Sequence, residues 1–315
     1  MSNKKSVVQV NPIFLPTQTL LEGQYTVHRL WEAQDKTAFL ADIADEVTGI
    51  VTDGGSGASA ELLRQLPNTG AVTVFGVGVD AVDLDYCKAH GIRVGNTPDV
   101  LTEDVADLAI ALALGSFRQV AFAHNYTCAG RWTTEGAAPL TRKFSNCHIG
   151  IFGLGRIGAA IAKRAEAFGC RISYCNRNER ADLPYPYFSD LKTMAEAVDC
   201  LIIGVAPTPD MRGVVNAGIM AALGPDGHLV NISRGWVVNE ADLVDALVHN
   251  KLGGAGLDVF EDEPNVPEAL LALPNVVLQP HVASGTVETR TAMGNLMLEN
   301  LEQYYLGNEL TAFVA

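Results

Sequence analysis

Short apolar runs alternate with amphipathic stretches along most of this chain. Val7–Val10, Tyr25–Leu30, Ile50–Thr52, Val72–Phe75 and Arg93–Val94 read as strands, with helical periodicity over Ala58–Gln65 and Asp83–His90. The alternation resumes after residue 146. Strands are predicted at Ile149–Phe152, Arg171–Cys175, Cys200–Val205, His228–Ile232, Gly256–Phe260 and Val276–Gln279. One helix runs through Ile157, Ile161, Ala165 and Phe168 and stops at Gly169; another is capped by Asn239, runs through Leu243, Ala246 and Leu247 and ends at Gly253. A last helix spans Val287–Leu306 and stops at Gly307. Strands alternating with helices imply parallel sheets covered on both faces. With 315 residues, enough for about two domains, the predicted fold class is α/β with doubly wound parallel sheets.

Two stretches depart from this rhythm. Asn96-Thr97-Pro98-Asp99 breaks it, and Thr102-Glu103-Asp104 then caps a long helix through Val105, Leu108, Ala109, Leu112 and Ala113. A helix apolar all round is a buried one, so it is expected at a domain or subunit junction. Residues 115–146 are polar and aromatic, with Trp132 and Phe144 and weak periodicity. So long an excursion is often functional or an oligomer arm.

The strand at Ile149–Phe152 feeds directly into Gly153-Leu154-Gly155-Arg156-Ile157-Gly158 and then a helix. Strand, glycine turn and helix in that order are the context of a dinucleotide fingerprint. Gly153 permits the tight turn, Gly155 lets the backbone approach a pyrophosphate, and Gly158 lets the helix pack close to the strand. The pyrophosphate would sit on the free N–H groups of the helix N-terminus. An NAD site carries a carboxylate about 20 residues into such a unit to hold the ribose 2′-hydroxyl. Here the next strand ends in Asn176-Arg177-Asn178, followed by Arg180. A carboxylate would repel a 2′-phosphate, whereas an arginine binds one through a charged fork. The expected cofactor is NADP(H).

The net charge of −14 argues against a nucleic-acid partner. Six cysteines form no CxxC pair and read as reduced thiols of a cytoplasmic protein, and no metal is expected. The N-terminus is basic, but Val7–Val10 is too short for a signal-peptide core. No apolar segment reaches 18 residues, so no membrane association is expected.

Arg234, Glu263 and His281 each follow an apolar strand. In a doubly wound sheet, ligands bind beyond the carboxyl ends of strands, which places all three on one rim. The residue types suit carbonyl reduction. A carbonyl that gains hydride must also gain a proton on oxygen, and a histidine titrates in the right range to give it. A glutamate within hydrogen-bond reach stabilises the imidazolium. An arginine grips a carboxylate and polarises the carbonyl in a fork that lysine cannot copy. Two glycine turns at further strand ends, 52–57 and 76–80, are candidate ligand loops or plain connections.

Asn-Ile-Ser-Arg-Gly (231–235), Gly-Leu-Asp-Val-Phe-Glu-Asp-Glu-Pro (256–264) and Pro-His-Val-Ala-Ser-Gly-Thr (280–286) follow Gly-Leu-Gly-Arg-Ile-Gly in order. Together they resemble the D-isomer-specific 2-hydroxyacid dehydrogenase family over nearly the whole chain, and within it the NADPH-dependent glyoxylate/hydroxypyruvate reductase branch. The resemblance implies a flavodoxin-like substrate domain of residues 1–99 plus 285–315 and a Rossmann cofactor domain of residues 100–284. Two hinge crossings would then allow closure around a small 2-oxo acid. It implies Arg234, Glu263 and His281 as the catalytic set. Backbone amides of Val77 and Gly78 would hold the substrate carboxylate, with Ser284 lining the pocket. Thr102, Val205, Pro207, Ile232 and Asp258 would lie along the cofactor, Asp258 beside the nicotinamide amide. It also implies a homodimer joined through the cofactor domains, with Trp132 reaching toward the partner's site.

This chain departs from the family pattern at Asn176-Arg177-Asn178 and at Trp236, where a small or polar residue is commoner; so large a ring would narrow or reshape the cofactor edge. Three other readings stay open: a reductase of bulkier 2-oxo acids, a cofactor-sensing interaction protein like the corepressors that resemble this family, and a formate or phosphite dehydrogenase. Formate enzymes of the family carry Gln in the place of Glu263, which argues against formate.

Overall fold

The computed structural model describes residues 4–315. The chain folds as two compact units. One runs to Leu101 and takes in Ser284–Ala315; the other is Thr102–Ala283.

The first unit alternates β1 (Ser6–Gln9), α1 (Leu15–Gln24), β2 (Thr26–Arg29), α2 (Lys36–Ile43), β3 (Val47–Asp53), α3 (Ala60–Gln65), β4 (Ala71–Phe75), α4 (Leu84–Ala89) and β5 (Arg93–Gly95). The sheet is parallel throughout, in the order β2-β1-β3-β4-β5, the flavodoxin-type doubly wound order. Val7, Val8, Ile50, Val51, Val72 and Val74 are fully buried, as expected where both faces are covered and strands become continuous apolar runs. Asp35, Ser59 and Asp83 cap α2, α3 and α4 by accepting from the N–H of Ala38, Leu62 and Tyr86.

The second unit contains α5 (Thr102–Arg118), α6 (Val120–Cys128), α7 (Arg131–Glu135), β6 (His148–Phe152), α8 (Arg156–Glu166), β7 (Arg171–Cys175), β8 (Tyr187–Phe188), α9 (Leu191–Ala197), β9 (Cys200–Ile203), α10 (Ala217–Leu223), β10 (His228–Asn231), α11 (Glu240–Val248), β11 (Gly254–Leu257), α12 (Glu268–Leu271) and β12 (Val276–Leu278). Its seven strands pair in parallel in the order β12-β11-β10-β9-β6-β7-β8. Counted from β6, this is the Rossmann order with one further strand, and the order reverses between β6 and β9. The chain returns to the first unit as α13 (Val287–Leu306), which packs on β4 and α1. The tail then pairs with β5, Val314 N–H donating to the Val94 carbonyl at 2.8 Å and Val94 N–H to Ala315 at 2.7 Å.

Several expectations need correction. α5 is not apolar all round: Glu103 and Asp107 are exposed and both pair with Arg164 of α8, at 2.7 and 2.5 Å. Residues 115–146, weakly periodic in sequence, are helical over much of their length. α5 continues to Arg118, Gln119 breaks it with φ of 49°, and α6 and α7 follow. Phe168 lies beyond the end of α8, partly exposed and edge-on to Phe144. α11 ends at Val248, five residues before Gly253. The strand placed at 256–260 starts earlier, at Gly254. Its glycines are there for packing: a Cβ on Gly256 would lie 2.7 Å from Leu112 of α5. α1 and α2 were not anticipated; α1 leaves Leu15 and Leu20 exposed, which blurs its apolar face.

All six cysteines are free, with Cys87, Cys170, Cys175 and Cys200 buried. No single helix among the described residues is long and apolar enough to cross a membrane.

Candidate active site

The fingerprint lies at the carboxyl end of β6, where the strand order reverses. Gly153 has φ of 101°, and a Cβ there would sit 2.5 Å from the Val205 backbone N. A Cβ on Gly158 would lie 2.3 Å from the Gly153 carbonyl oxygen, so α8 can pack this closely only as glycine. Gly155 differs: a Cβ there would meet nothing within 4 Å. The space above it is open to a ligand, beside the first N–H groups of α8 (Arg156, Ile157 and Gly158). This cradle fits a pyrophosphate.

The Leu154 peptide is held at both ends. Its N–H donates to Asn176 Oδ1 at 2.7 Å, and its carbonyl accepts from Arg180 Nη1 at 3.2 Å. Arg180 also makes a two-pronged pair with Asp182, at 2.7 and 2.6 Å. Arg177 and Asn178 are exposed beyond the end of β7. Arg177 thus presents a charged fork next to the loop that Asn176 shapes, where a 2′-phosphate could be bound.

Arg234, Glu263 and His281 follow β10, β11 and β12, three strands adjacent in the sheet. Glu263 is the hub. Its Oε2 lies 2.7 Å from His281 Nδ1, and its Oε1 accepts the Phe260 N–H at 3.1 Å. Burial pushes the Glu263 carboxyl up. The hydrogen bond from His281, the His281 charge, the Phe260 N–H and the Arg234 charge outweigh it, and the pKa falls below its ordinary value. The carboxylate is therefore ionised beside a histidine whose Nδ1 it engages, an arrangement that suits proton transfer at the far ring nitrogen, Nε2.

His281 has φ of 54°, a left-handed conformation uncommon for a side chain of this kind. Asp258 holds it there. The Asp258 carbonyl accepts the His281 N–H at 2.8 Å, and its two carboxylate oxygens accept from Val282 and Ala283 N–H at 2.8 and 3.0 Å. Asp258 is fully buried, and that burial holds its pKa above the ordinary value in spite of the two amide donors. Ile232 is buried just past β10, and Val205 and Pro207 are half-buried past β9. Thr102 is the first residue of α5.

Val77, Gly78 and Ser284 belong to the first unit. Val77 and Gly78 follow β4, on a loop where the Val77 carbonyl accepts from Asn96 Nδ2 at 2.9 Å. Loop 53–57 follows β3 and is shaped by Asp53, whose Oδ1 accepts the N–H of Gly55 and Ser56 at 3.0 and 2.6 Å.

Trp236 is half-buried against the core of the second unit, with the Arg212 guanidinium 5.4 Å from its ring. Arg212 also pairs with Glu261 at 3.0 Å. The ring braces the segment after Pro207. Asn231 and Ser233, which the 231–235 motif contains without a role of their own, are both buried in the turn before Arg234. The available signal was a polar pair closing an apolar strand.

Residues 110–283 match the family described as D-isomer specific 2-hydroxyacid dehydrogenase, NAD binding domain. The chain is 46% identical to glyoxylate/hydroxypyruvate reductase A HPR2 of Arabidopsis thaliana, covering 96% of this chain and 97% of that protein. It is 45% identical to hydroxyphenylpyruvate reductase of Plectranthus scutellarioides, with the same coverage. Among solved structures it resembles the NADPH-dependent glyoxylate/hydroxypyruvate reductase of Sinorhizobium meliloti in complex with NADP and malonate. That likeness has a TM-score of 0.93 and 45% identity, over 100% of this chain and 97% of the other. This chain belongs to the D-isomer specific 2-hydroxyacid dehydrogenase family.

Proposed function

We propose that this protein is an NADPH-dependent reductase of small 2-oxo acids, glyoxylate and hydroxypyruvate foremost, yielding D-2-hydroxy acids. The observation that carries the reading is the His281–Glu263 pair at 2.7 Å, on strand ends next to Arg234 and in the same unit as the fingerprint. NADPH, when bound, supplies the hydride. The protein's own groups do the rest. Arg234 binds the substrate carboxylate and polarises the neighbouring carbonyl. His281 gives its proton from Nε2 to the carbonyl oxygen as charge develops there, a step worth roughly 10²–10⁴-fold. Glu263 stabilises the imidazolium through Nδ1 and fixes the ring. In reverse, the same histidine takes the hydroxyl proton.

Arg177 with Asn176 and Asn178 is assigned to the 2′-phosphate, and the N–H groups at the start of α8 to the pyrophosphate. Thr102, Val205, Pro207, Ile232 and Asp258 are assigned to the cofactor on the family resemblance; Val77, Gly78 and Ser284 are assigned to the substrate on the same ground. Val120, Trp132 and Leu140 are exposed apolar residues in 119–146, which supports a homodimer formed through this part of the second unit. The six free thiols support a cytoplasmic setting.

A second reading, reduction of bulkier aryl 2-oxo acids, is favoured by the 45% identity to a hydroxyphenylpyruvate reductase. The two are separated by NADPH oxidation with glyoxylate, hydroxypyruvate, pyruvate and phenylpyruvate. The first reading expects the highest kcat/KM on the two small polar acids. Preference for phenylpyruvate would establish the second.

A further inference from the structure

The Arg234 guanidinium can grip a carboxylate only if the backbone beneath it is held still. Arg234 lies three residues past β10, in an extended conformation with φ of −138° and ψ of 141°. Beneath it is Asn231, the last residue of β10, which is 1% exposed. Burying a primary amide is costly unless its donor and acceptor are both used, and here both are. Asn231 Nδ2 donates to the Arg234 carbonyl at 2.9 Å, and Asn231 Oδ1 accepts the Ser233 N–H at 3.1 Å. One side chain thus bridges the turn from its second residue to its last. An aspartate of the same shape would offer only acceptors, and a leucine neither.

The neighbours leave this turn little freedom. Ser233 Oγ donates to the Val205 carbonyl at 2.7 Å, tying the turn to the segment after β9. A Cβ on Gly235 would lie 1.8 Å from the Phe260 carbonyl carbon, so the turn is pressed against the Glu263 loop. The Asn231 backbone carbonyl accepts the Asp258 N–H at 3.0 Å, and Asp258 in turn holds the His281 segment. The Arg234 carbonyl also accepts the Val237 N–H at 3.3 Å, and Arg234 Nη1 donates to the Ser233 carbonyl at 3.0 Å; the Asn231 amide makes the shorter bond to the Arg234 carbonyl, at 2.9 Å, and ties it to the end of β10.

We propose that Asn231 is a positioning residue for substrate binding: its side-chain amide fixes the turn from which Arg234 meets the substrate carboxylate. This rests on the reading of Arg234 given above. Asn231 acts through Arg234 and touches no reacting atom.

The test uses Asn231→Asp in the full-length protein. This change keeps the shape and the bond from Ser233 but sets an acceptor against the Arg234 carbonyl. NADPH affinity is measured by the fluorescence of the bound cofactor. Malonate affinity is measured on the NADPH-saturated protein, because malonate is a carboxylate ligand with no carbonyl to reduce. KM and kcat are measured with glyoxylate. Malonate Kd and glyoxylate KM are expected to rise about tenfold or more while NADPH Kd stays within about threefold. Asn231→Ser, whose hydroxyl is too short to span the turn, is the second variant, used if the aspartate form does not bind NADPH; the same split is expected. Parallel losses of malonate and NADPH affinity, or no change in either, would overturn the proposal. A wild-type protein that binds NADPH but neither binds malonate nor reduces any 2-oxo acid would instead refute the functional reading, and this proposal with it.

Discussion

His281 Nδ1 and Glu263 Oε2 stand 2.7 Å apart, although the residues are eighteen positions apart and follow different strands. The pairing commits Nδ1 to the carboxylate, and in the proposed mechanism Nε2 exchanges a proton with substrate. His281→Ala should therefore abolish turnover while leaving NADPH affinity nearly intact, measured as single-turnover rate and cofactor Kd. Normal turnover in that variant would remove His281 from the chemistry.

Glu263→Gln keeps a hydrogen-bonding partner but removes the charge. A loss of kcat of about 10²-fold is expected, measured with NADPH and glyoxylate. Because the Glu263 pKa is depressed, its charge persists until pH falls below the ordinary glutamate range. The wild-type enzyme should thus keep this support down to pH values below the ordinary glutamate pKa of 4.5.

Arg177 is the charged member of the triplet after β7. Arg177→Asp should reduce kcat/KM with NADPH by about 10²-fold or more, as one charge-assisted contact is lost and a repulsion is gained. Its effect with NADH should be small. Equal losses with both cofactors would sink the assignment of the 2′-phosphate.

Trp236 carries the Arg212 guanidinium at 5.4 Å, and Arg212 reaches Glu261. Trp236→Ala should destabilise the fold by about 1–3 kcal/mol and weaken NADPH binding through the segment after Pro207. Thermal unfolding and cofactor titration measure the two effects separately.

His228 is buried against Phe117, its ring stacked at 3.8 Å, with Nδ1 2.8 Å from Ser116 Oγ. Burial above all, with the nearby Arg142 charge, pulls its pKa down to about 4 from an ordinary 6.5. The unfolded chain takes up this proton near pH 6.5, whereas the fold resists it until about pH 4, so the unfolded state binds more protons between those values. Stability should fall as pH drops through that window, by about 2 kcal/mol from this residue between pH 7.5 and 5. His228→Gln should flatten the pH dependence of the unfolding midpoint over the same range; an unchanged slope would contradict it.

Local sterics explain what was legible from sequence. Gly153 is dictated by its positive φ and Gly158 by the Gly153 carbonyl, both within one strand–turn–helix unit, and Gly155 leaves its space open, so their spacing reveals them. Arg234, Glu263 and His281 were legible because each closes an apolar run, and parallel topology sends all such ends to one edge. Other features depend on partners distant in sequence. The Gly254–Leu257 strand reads two residues late, from Gly256, because Gly253 and Gly254 suit a turn until α5 is seen lying on the strand. Phe168 reads as core because its spacing fits the α8 stripe, but the helix ends two residues before it. Glu103 and Asp107 make sense only once Arg164 is opposite them. The role of Asn231 depends on hydrogen bonds whose partners no periodicity specifies.

The most direct test of the central claim is one reaction: purified protein, NADPH and hydroxypyruvate, followed by chiral separation of the product. One equivalent of D-glycerate is expected for each NADPH oxidised, at a rate far above that with NADH. Tight NADPH binding with no glycerate formed from hydroxypyruvate, and no product from glyoxylate, would contradict it and point to a cofactor-sensing protein instead.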